Sequence, residues 1–254
     1  MMQGMKAIEA TILNRHKKRM PATLRIPENA RGTFVLLHGI GGWKDQRVMQ
    51  SIIEPVFNAG YVVVTFDAAD GANAPDANSM RGTTTGYRED LEDVIAYIEK
   101  ESWYVGPLSL GGHSLGGLVA IEYTARHPEI ERLILAAPAI SWREYRYILP
   151  VASLWLLYGK VRMPGPEMRN YWIGRPWLFD FITRDMKRLA SKVTCPTLVV
   201  MGGRDGLVGT VRTHRSFASL FPRADFEVVP GATHTFHPHE KELTATIKQW
   251  LTSS

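Results

Sequence analysis

A single cysteine, Cys195, in 254 residues leaves nothing for it to pair with. That excludes a disulfide-stapled scaffold and points to a reducing compartment. Long hydrophobic runs are missing too. The longest uncharged apolar stretch, Ile148–Tyr158, falls well short of the ~20 residues a bilayer span requires. Lys6, Glu9, Arg15 and Lys17 interrupt the opening residues, which therefore hold no signal-peptide core. The expectation is a cytoplasmic protein without stable membrane insertion. No repeat or low-complexity tract is present, and an apolar share of 45% excludes a disordered chain. This length is enough to bury one large core.

Acid is in slight deficit, with 30 Lys and Arg against 25 Asp and Glu for a net charge of +5. The surplus is concentrated in residues 139–190, where nine basic side chains meet four acidic ones. That segment is rich in Trp and Tyr and carries no recognisable nucleic-acid module, so no nucleic-acid partner is expected.

What is present is a regular alternation. Two β-like runs, Ala7–Leu13 and Met20–Ile26, flank a charged turn. Short, mostly apolar runs follow at Thr33–Leu37, Tyr61–Phe66, Pro107–Leu110, Leu133–Ala137, Thr197–Met201 and Phe226–Val229, the last interrupted by Glu227. Such runs suit strands covered on both faces, as in a parallel sheet. Helical patterns lie between them. Tyr87, Leu91, Val94 and Ile98 form one stripe beside Arg88, Glu89, Asp90, Glu92 and Asp93, and Ser114 to His127 reads as a helix closed by Pro128. The fold class is therefore α/β, a doubly wound, mostly parallel sheet of about eight strands. Residues 139–190 break the alternation with ten of the chain's aromatics, among them Trp142, Trp155, Trp172 and Trp177. Several short helices with an apolar inner face are expected there, interrupted by prolines. The domain reading is a core of 1–138 and 191–254 with a helical cap, 139–190, inserted between core strands.

The most informative stretch is Gly112-His113-Ser114-Leu115-Gly116-Gly117. It fits G-x-S-x-G, a tight strand-to-helix turn that presents a serine and needs small residues two positions to either side. The following helix aims its first N–H groups at developing negative charge. A nucleophilic serine needs a base, and the base an orienting acid. Both are expected after later strands, where sites form in open α/β sheets. Asp205 follows Thr197–Met201 within Gly-Gly-Arg-Asp-Gly, and His234 follows Phe226–Val229 within Pro-Gly-Ala-Thr-His. Asp67 and Asp70, after an earlier strand, are rival acids. His214, His237 and His239 are rival bases. The His234, His237, His239 cluster lacks the carboxylate or cysteine spacing of a metal site, so no metal is expected. Cys195, before Pro196, reads as a small buried hydrophobe.

These stretches, with Leu37-His38-Gly39-Ile40-Gly41-Gly42, together resemble the α/β-hydrolase superfamily. Within it the chain is similar to the capped esterases and the monoacylglycerol-lipase-like, S33 serine aminopeptidase-type group. The resemblance spans nearly the whole chain except 139–190. It implies an α/β-hydrolase fold with Ser114 as nucleophile, His234 as base and Asp205 as acid. It also implies an oxyanion hole from the backbone N–H groups of Ile40 and Leu115, with His38 bracing the loop. One departure stands out. Many relatives carry D-x-x-G-x-G-x-S after the strand ending at Phe66, whereas here Asp67-Ala-Ala-Asp-Gly-Ala-Asn-Ala retains only the first Asp and one Gly.

The implied function is carboxylic ester hydrolysis through an acyl-enzyme on Ser114, needing no cofactor. The alternatives are the same three residues acting on amide, thioester or carbon–carbon bonds, or a slow-turnover ligand receptor. Trp43, Trp142 and Trp155 are the candidate substrate-binding residues, for a small-molecule ester with an apolar acyl or aromatic group. An aromatic cap also offers a surface on which a second copy of the chain could pair to form a homodimer.

Overall fold

The computed structural model describes residues 7–141, 157–164 and 170–253. The chain opens with an antiparallel pair, β1 (Ala7–Leu13) and β2 (Arg19–Arg25). Alternation then sets in: β3 (Gly32–Leu37), α1 (Arg47–Asn58), β4 (Tyr61–Phe66), α2 (Thr84–Ile98), β5 (Leu108–His113), α3 (Leu115–Thr124) and β6 (Leu133–Ala136). A second, separate pair follows, β7 (Lys160–Pro164) and β8 (Asn170–Gly174), with helices α4 (Arg175–Ile182) and α5 (Met186–Ala190). The chain closes with β9 (Thr197–Gly202), α6 (Val211–Ala218), β10 (Ala224–Val229) and α7 (Glu240–Ser253).

One eight-stranded sheet runs in the order β1-β2-β4-β3-β5-β6-β9-β10. Only β2 opposes its neighbours; every pairing from β4 to β10 is parallel. The order reverses on either side of β3, so the loops leaving β3 and β5 diverge at their C-terminal ends and leave a crevice between them. This is the α/β-hydrolase fold.

The apolar strand runs divide their side chains between two cores by the two-residue period of a strand. In β3, Val35 and Leu37 face one side with α2 and α3, while Phe34 and Leu36 face the other with α1 and α7. β4 splits likewise, with Val62, Val64 and Phe66 on one side and Tyr61 and Val63 on the other. Fully burying each such side chain contributes ~1.5–3 kcal/mol, and β3 and β4, buried on both faces, contain no charge. β5 continues past Leu110 through two glycines, beyond the end that its apolar run suggests. A Cβ on Gly111 would stand 2.7 Å from a Leu36 methyl, so strand neighbours pack where a side chain cannot.

Along α2, Tyr87, Leu91, Val94 and Ile98 are buried as the stripe requires. Asp90, which the sequence places with the polar residues, is buried with them, because it lies one step along the helix from Leu91. Its carboxylate accepts from the Asn14 side-chain amide and from the Ala69 N–H, both at 2.8 Å, tying the β1–β2 turn and the loop after β4 to the helix.

Between β6 and β9 the described residues hold helices and also the antiparallel β7–β8 ribbon, where the sequence reading expects short helices alone. Along β8, Ile173 is buried while Trp172 is 46% exposed, the alternation of a half-covered strand. Asp180 of α4 fastens this segment to the core. It accepts from the Thr85 N–H at 2.7 Å and from the Thr84 and Thr85 hydroxyls, satisfying the first turn of α2 from outside. Trp142, Trp155 and most of Ile148–Tyr158 lie outside the described residues. Among the described residues no helix is long and apolar enough to cross a membrane.

Candidate active site

Ser114 stands between β5 and α3 with φ 54° and ψ −118°, a conformation that costs a non-glycine residue ~1–3 kcal/mol unless its surroundings impose it. They do. Its N–H donates to Ala136 O at 3.0 Å, and its carbonyl accepts from Gly117 at 3.0 Å and Ala139 at 2.9 Å. The flanking glycines are required by contact: a Cβ on Gly112 would lie 2.5 Å from Gly117 N, and one on Gly116 would lie 2.5 Å from His38 O. The helix start is thus wedged against the end of β3.

His234 and Asp205 reach this serine from the loops after β10 and β9. Those loops abut because Gly202 has no side chain; a Cβ there would meet Ala232 O and Thr233 O at 2.5 Å. His234 Nδ1–H donates to Asp205 Oδ2 at 2.8 Å, and His234 Nε2 lies 3.0 Å from Ser114 Oγ. The tautomer follows from chemistry, since a carboxylate only accepts. Nε2 is then free to accept the serine proton. Burial alone would raise the Asp205 carboxyl's pKa. The His234 hydrogen bond and the N–H groups of Leu207 and Val208 outweigh it and hold the pKa below the ordinary range.

The loop after β3 closes the other side. Ile40 and Leu115 each keep a backbone N–H that meets no acceptor among the described residues. His38 braces this loop: its Nδ1–H donates to Gly39 O at 2.7 Å and its Nε2 accepts the Ala68 N–H at 3.1 Å. Burial lowers its pKa, so the ring is a neutral strut. Tyr87 donates to His38 O at 3.2 Å.

The rival residues have other partners. Asp67 accepts from the Lys44 N–H and the Asn73 amide, joining two loops, and Asp70 pairs with Lys18 at 2.6 Å. His214 is buried in α6 with Nε2 2.9 Å from Pro138 O. His237 and His239 pair with Glu240 and Glu242, and no group of potential metal ligands forms among the described residues. Cys195 is buried, and burial raises its thiol pKa. Trp43 lines an open cleft of about 520 Å³ with Gly41, Asn73, Tyr171 and Trp172.

Two neighbours of the site escape the sequence reading. His113, an unassigned position within the motif, is fully buried. Its Nε2–H donates to the His234 carbonyl at 3.0 Å, its ring centre is 4.8 Å from that of His234, and its Nδ1 has no hydrogen-bond partner among the described residues. Burial, then the adjacent His234, lowers its pKa to about 3, so it is neutral at any working pH. Tyr171, in β8, lays its ring over Gly41, whose φ of 68° already favours glycine; a Cβ at that position would overlap the ring. The ribbon's alternation over Asn170–Gly174 is the signal that could have found it.

Comparison with known proteins agrees with this architecture. The family model described as "Serine aminopeptidase, S33" matches residues 28–190. "Phospholipase YtpA" of Bacillus subtilis is 33% identical over 42% of this chain, and the match spans 40% of that protein's length. "Monoglyceride lipase" of Saccharomyces cerevisiae is 23% identical over 87% of this chain and 84% of its own. Among solved structures, "Ferulic Acid bound to Est1E from Butyrivibrio proteoclasticus" superposes with a TM-score of 0.77, covering 96% of this chain and 98% of that one. At 18% identity this is a likeness of fold. The family match extends over more than half of the sequence, and the chain belongs to the S33 serine aminopeptidase-like family as an esterase/lipase-like α/β-hydrolase.

Proposed function

We propose that this hydrolase cleaves carboxylic esters through an acyl-enzyme on Ser114. The observation that carries the reading is the unbroken hydrogen-bonded series Ser114 Oγ, His234, Asp205. His234 takes the serine proton as Oγ attacks the ester carbonyl. Asp205, kept ionised by its partners, holds the imidazole in the reactive tautomer and stabilises the imidazolium. The N–H groups of Ile40 and Leu115 receive the oxyanion, each worth ~3 kcal/mol in the transition state. His234 then protonates the departing alcohol and activates water for deacylation. No step calls for a metal or organic cofactor.

Trp43 is assigned to the pocket wall, and the aromatic surroundings favour an apolar acyl or aromatic group. The names of the relatives, a phospholipase and a monoglyceride lipase, support an ester substrate.

The test is hydrolysis of p-nitrophenyl esters from acetate to palmitate, with Ser114→Ala alongside. A rate reduced at least ~10⁴-fold in the variant is expected. Undiminished hydrolysis in Ser114→Ala would remove the acyl-enzyme. Silence of the wild type across the panel, with fluorophosphonate still labelling Ser114, would transfer the chemistry to amide, thioester or carbon–carbon substrates.

A further inference from the structure

Three of the five residues between His38 and Lys44 are glycine, Gly39, Gly41 and Gly42. Such a stretch has little stiffness of its own and keeps one shape only if its ends are held. Ile40, with the N–H assigned to the oxyanion, lies within it. Inside the stretch a single turn bond runs from Gly42 N–H to Gly39 O at 2.9 Å, and Trp43 N–H donates to the Gln46 side chain at 3.2 Å.

Both ends are held by consecutive residues of the neighbouring loop. Ala68 N–H donates to His38 Nε2 at 3.1 Å, and Asp67 Oδ1 accepts the Lys44 N–H at 2.7 Å. Asp67 is a firm anchor. It is buried at the end of β4, its own N–H donates to Pro21 O at 2.8 Å, and its Oδ2 accepts the Asn73 amide at 2.9 Å. Asn73 belongs to the stretch where the chain departs from the D-x-x-G-x-G-x-S pattern. The Lys44 ammonium adds a tether to Glu9 at 3.0 Å and to the Thr23 hydroxyl. That tether passes through a flexible four-carbon stem, so the main-chain bond to Asp67 is the one that fixes the backbone.

We infer that Asp67 is a positioning residue for the oxyanion hole: with Ala68 it clamps the His38–Lys44 stretch at both ends and so sets where the Ile40 N–H stands. The inference rests on the acyl-enzyme reading above, in which that N–H receives the oxyanion. Oxyanion donors act only within a narrow distance of the developing charge, and a shift of ~1 Å removes much of their effect.

The experiment compares wild type, Asp67→Ala and Asp67→Asn on p-nitrophenyl butyrate, with active sites counted by complete fluorophosphonate labelling of Ser114. The second readout is the Ki of a trifluoromethyl ketone, which takes up Ser114 Oγ as a tetrahedral adduct with its oxygen at the same N–H groups. Asp67→Ala should lower kcat per labelled serine about tenfold with KM within about twofold, and raise the ketone Ki by the same factor as the fall in kcat/KM. Asp67→Asn retains a side-chain acceptor for Lys44 N–H, in a weaker neutral bond, and should lose less than about threefold in both. Wild-type kcat per labelled serine in Asp67→Ala overturns the inference. So does a fall in kcat with an unmoved Ki, or an Asp67→Asn as impaired as Asp67→Ala. Should Asp67→Ala fail to fold, Asn73→Ala, which frees one carboxylate oxygen, should show smaller parallel losses, and wild-type values of both overturn the clamp. A wild type that labels but cleaves no ester overturns the ester reading alone, since the ketone series still decides the clamp. A wild type that neither labels nor binds the ketone overturns both.

Discussion

Between Ser114 and Asp205 stands one imidazole, and its protonation is decided by what lies on either side. In the proposed reaction, Asp205→Asn puts an amide where Nδ1–H needs an acceptor and favours the wrong tautomer. A loss of ~10⁴ in kcat with an intact fold is expected, read by steady-state kinetics beside a circular-dichroism spectrum. His113 acts one layer out. Its Nε2–H holds the His234 backbone, and being neutral it sets no second positive charge beside the imidazolium. His113→Leu removes that donor and should lower kcat by about tenfold, the scale of one hydrogen bond at a buried site, with KM little changed. His113→Gln, whose Nε2 can take the same place, should recover most of the loss; equal rates in the two variants would rule out the positioning role. Ser114, Asp205 and His234 were legible because each follows an apolar run at a glycine-marked turn. His113 and Tyr171 were not, since each matters through a contact with a residue far away in the chain.

Two carboxylates show how elements are joined. Asp180 replaces the missing partners at the start of α2, so Asp180→Ala should cost ~1–3 kcal/mol and lower Tm by several degrees. Hydrogen exchange should quicken in α4 and the first turn of α2 and remain slow in β3 and β4. Asp90 has the opposite electrostatics. Burial raises its pKa to about 6, with Asn14 and Ala69 N–H only partly opposing. Its folded form holds the proton more tightly than the unfolded chain does, so its favourable contribution is complete below about pH 4 and is lost as pH rises through about 6. The stability of wild type relative to Asp90→Asn should fall across that window by up to ~3 kcal/mol, measured by urea unfolding at each pH. A difference that stays flat would refute the raised pKa. At this scale β3 to β6 and β9 were readable to within a few residues, because burial on both faces writes a nearly uninterrupted apolar run. By contrast β10, expected to be covered on both faces, lies at the sheet edge with Asp225 and Glu227 exposed. The β7–β8 ribbon was not readable, because aromatic and basic residues there suit a half-covered strand and a short helix alike.

Across the molecule the sheet separates two cores with different duties. The core under α1 and α7 lies on the face away from α2 and α3 and meets the loops of Asp205 and His234 through Val208, Ala232 and Phe236. Trp250, buried in α7, fills it and donates its indole N–H to Asp225 at 2.8 Å. Trp250→Ala should cost ~3–5 kcal/mol, lowering Tm, while kcat at low temperature stays near wild type. A proportional loss of activity in still-folded protein would show that the two faces are coupled. The class of the fold was legible at this scale because alternating strands and helices admit few ways to cover a sheet.

The segment between β6 and β9 leaves and re-enters at adjacent parallel strands, with Ala136 in register with Val200. The sheet therefore fixes the distance between its two ends whatever lies between them. Lengthening a loop whose ends are already held costs only a slowly growing closure entropy, about 0.6 kcal/mol per doubling. The described part of the segment is nevertheless a keystone as well as a bridge: Trp177, Phe181 and Met186 are shared with the core under α2 and α3. A rewritten segment must keep these and Asp180 if α2 is to hold its place.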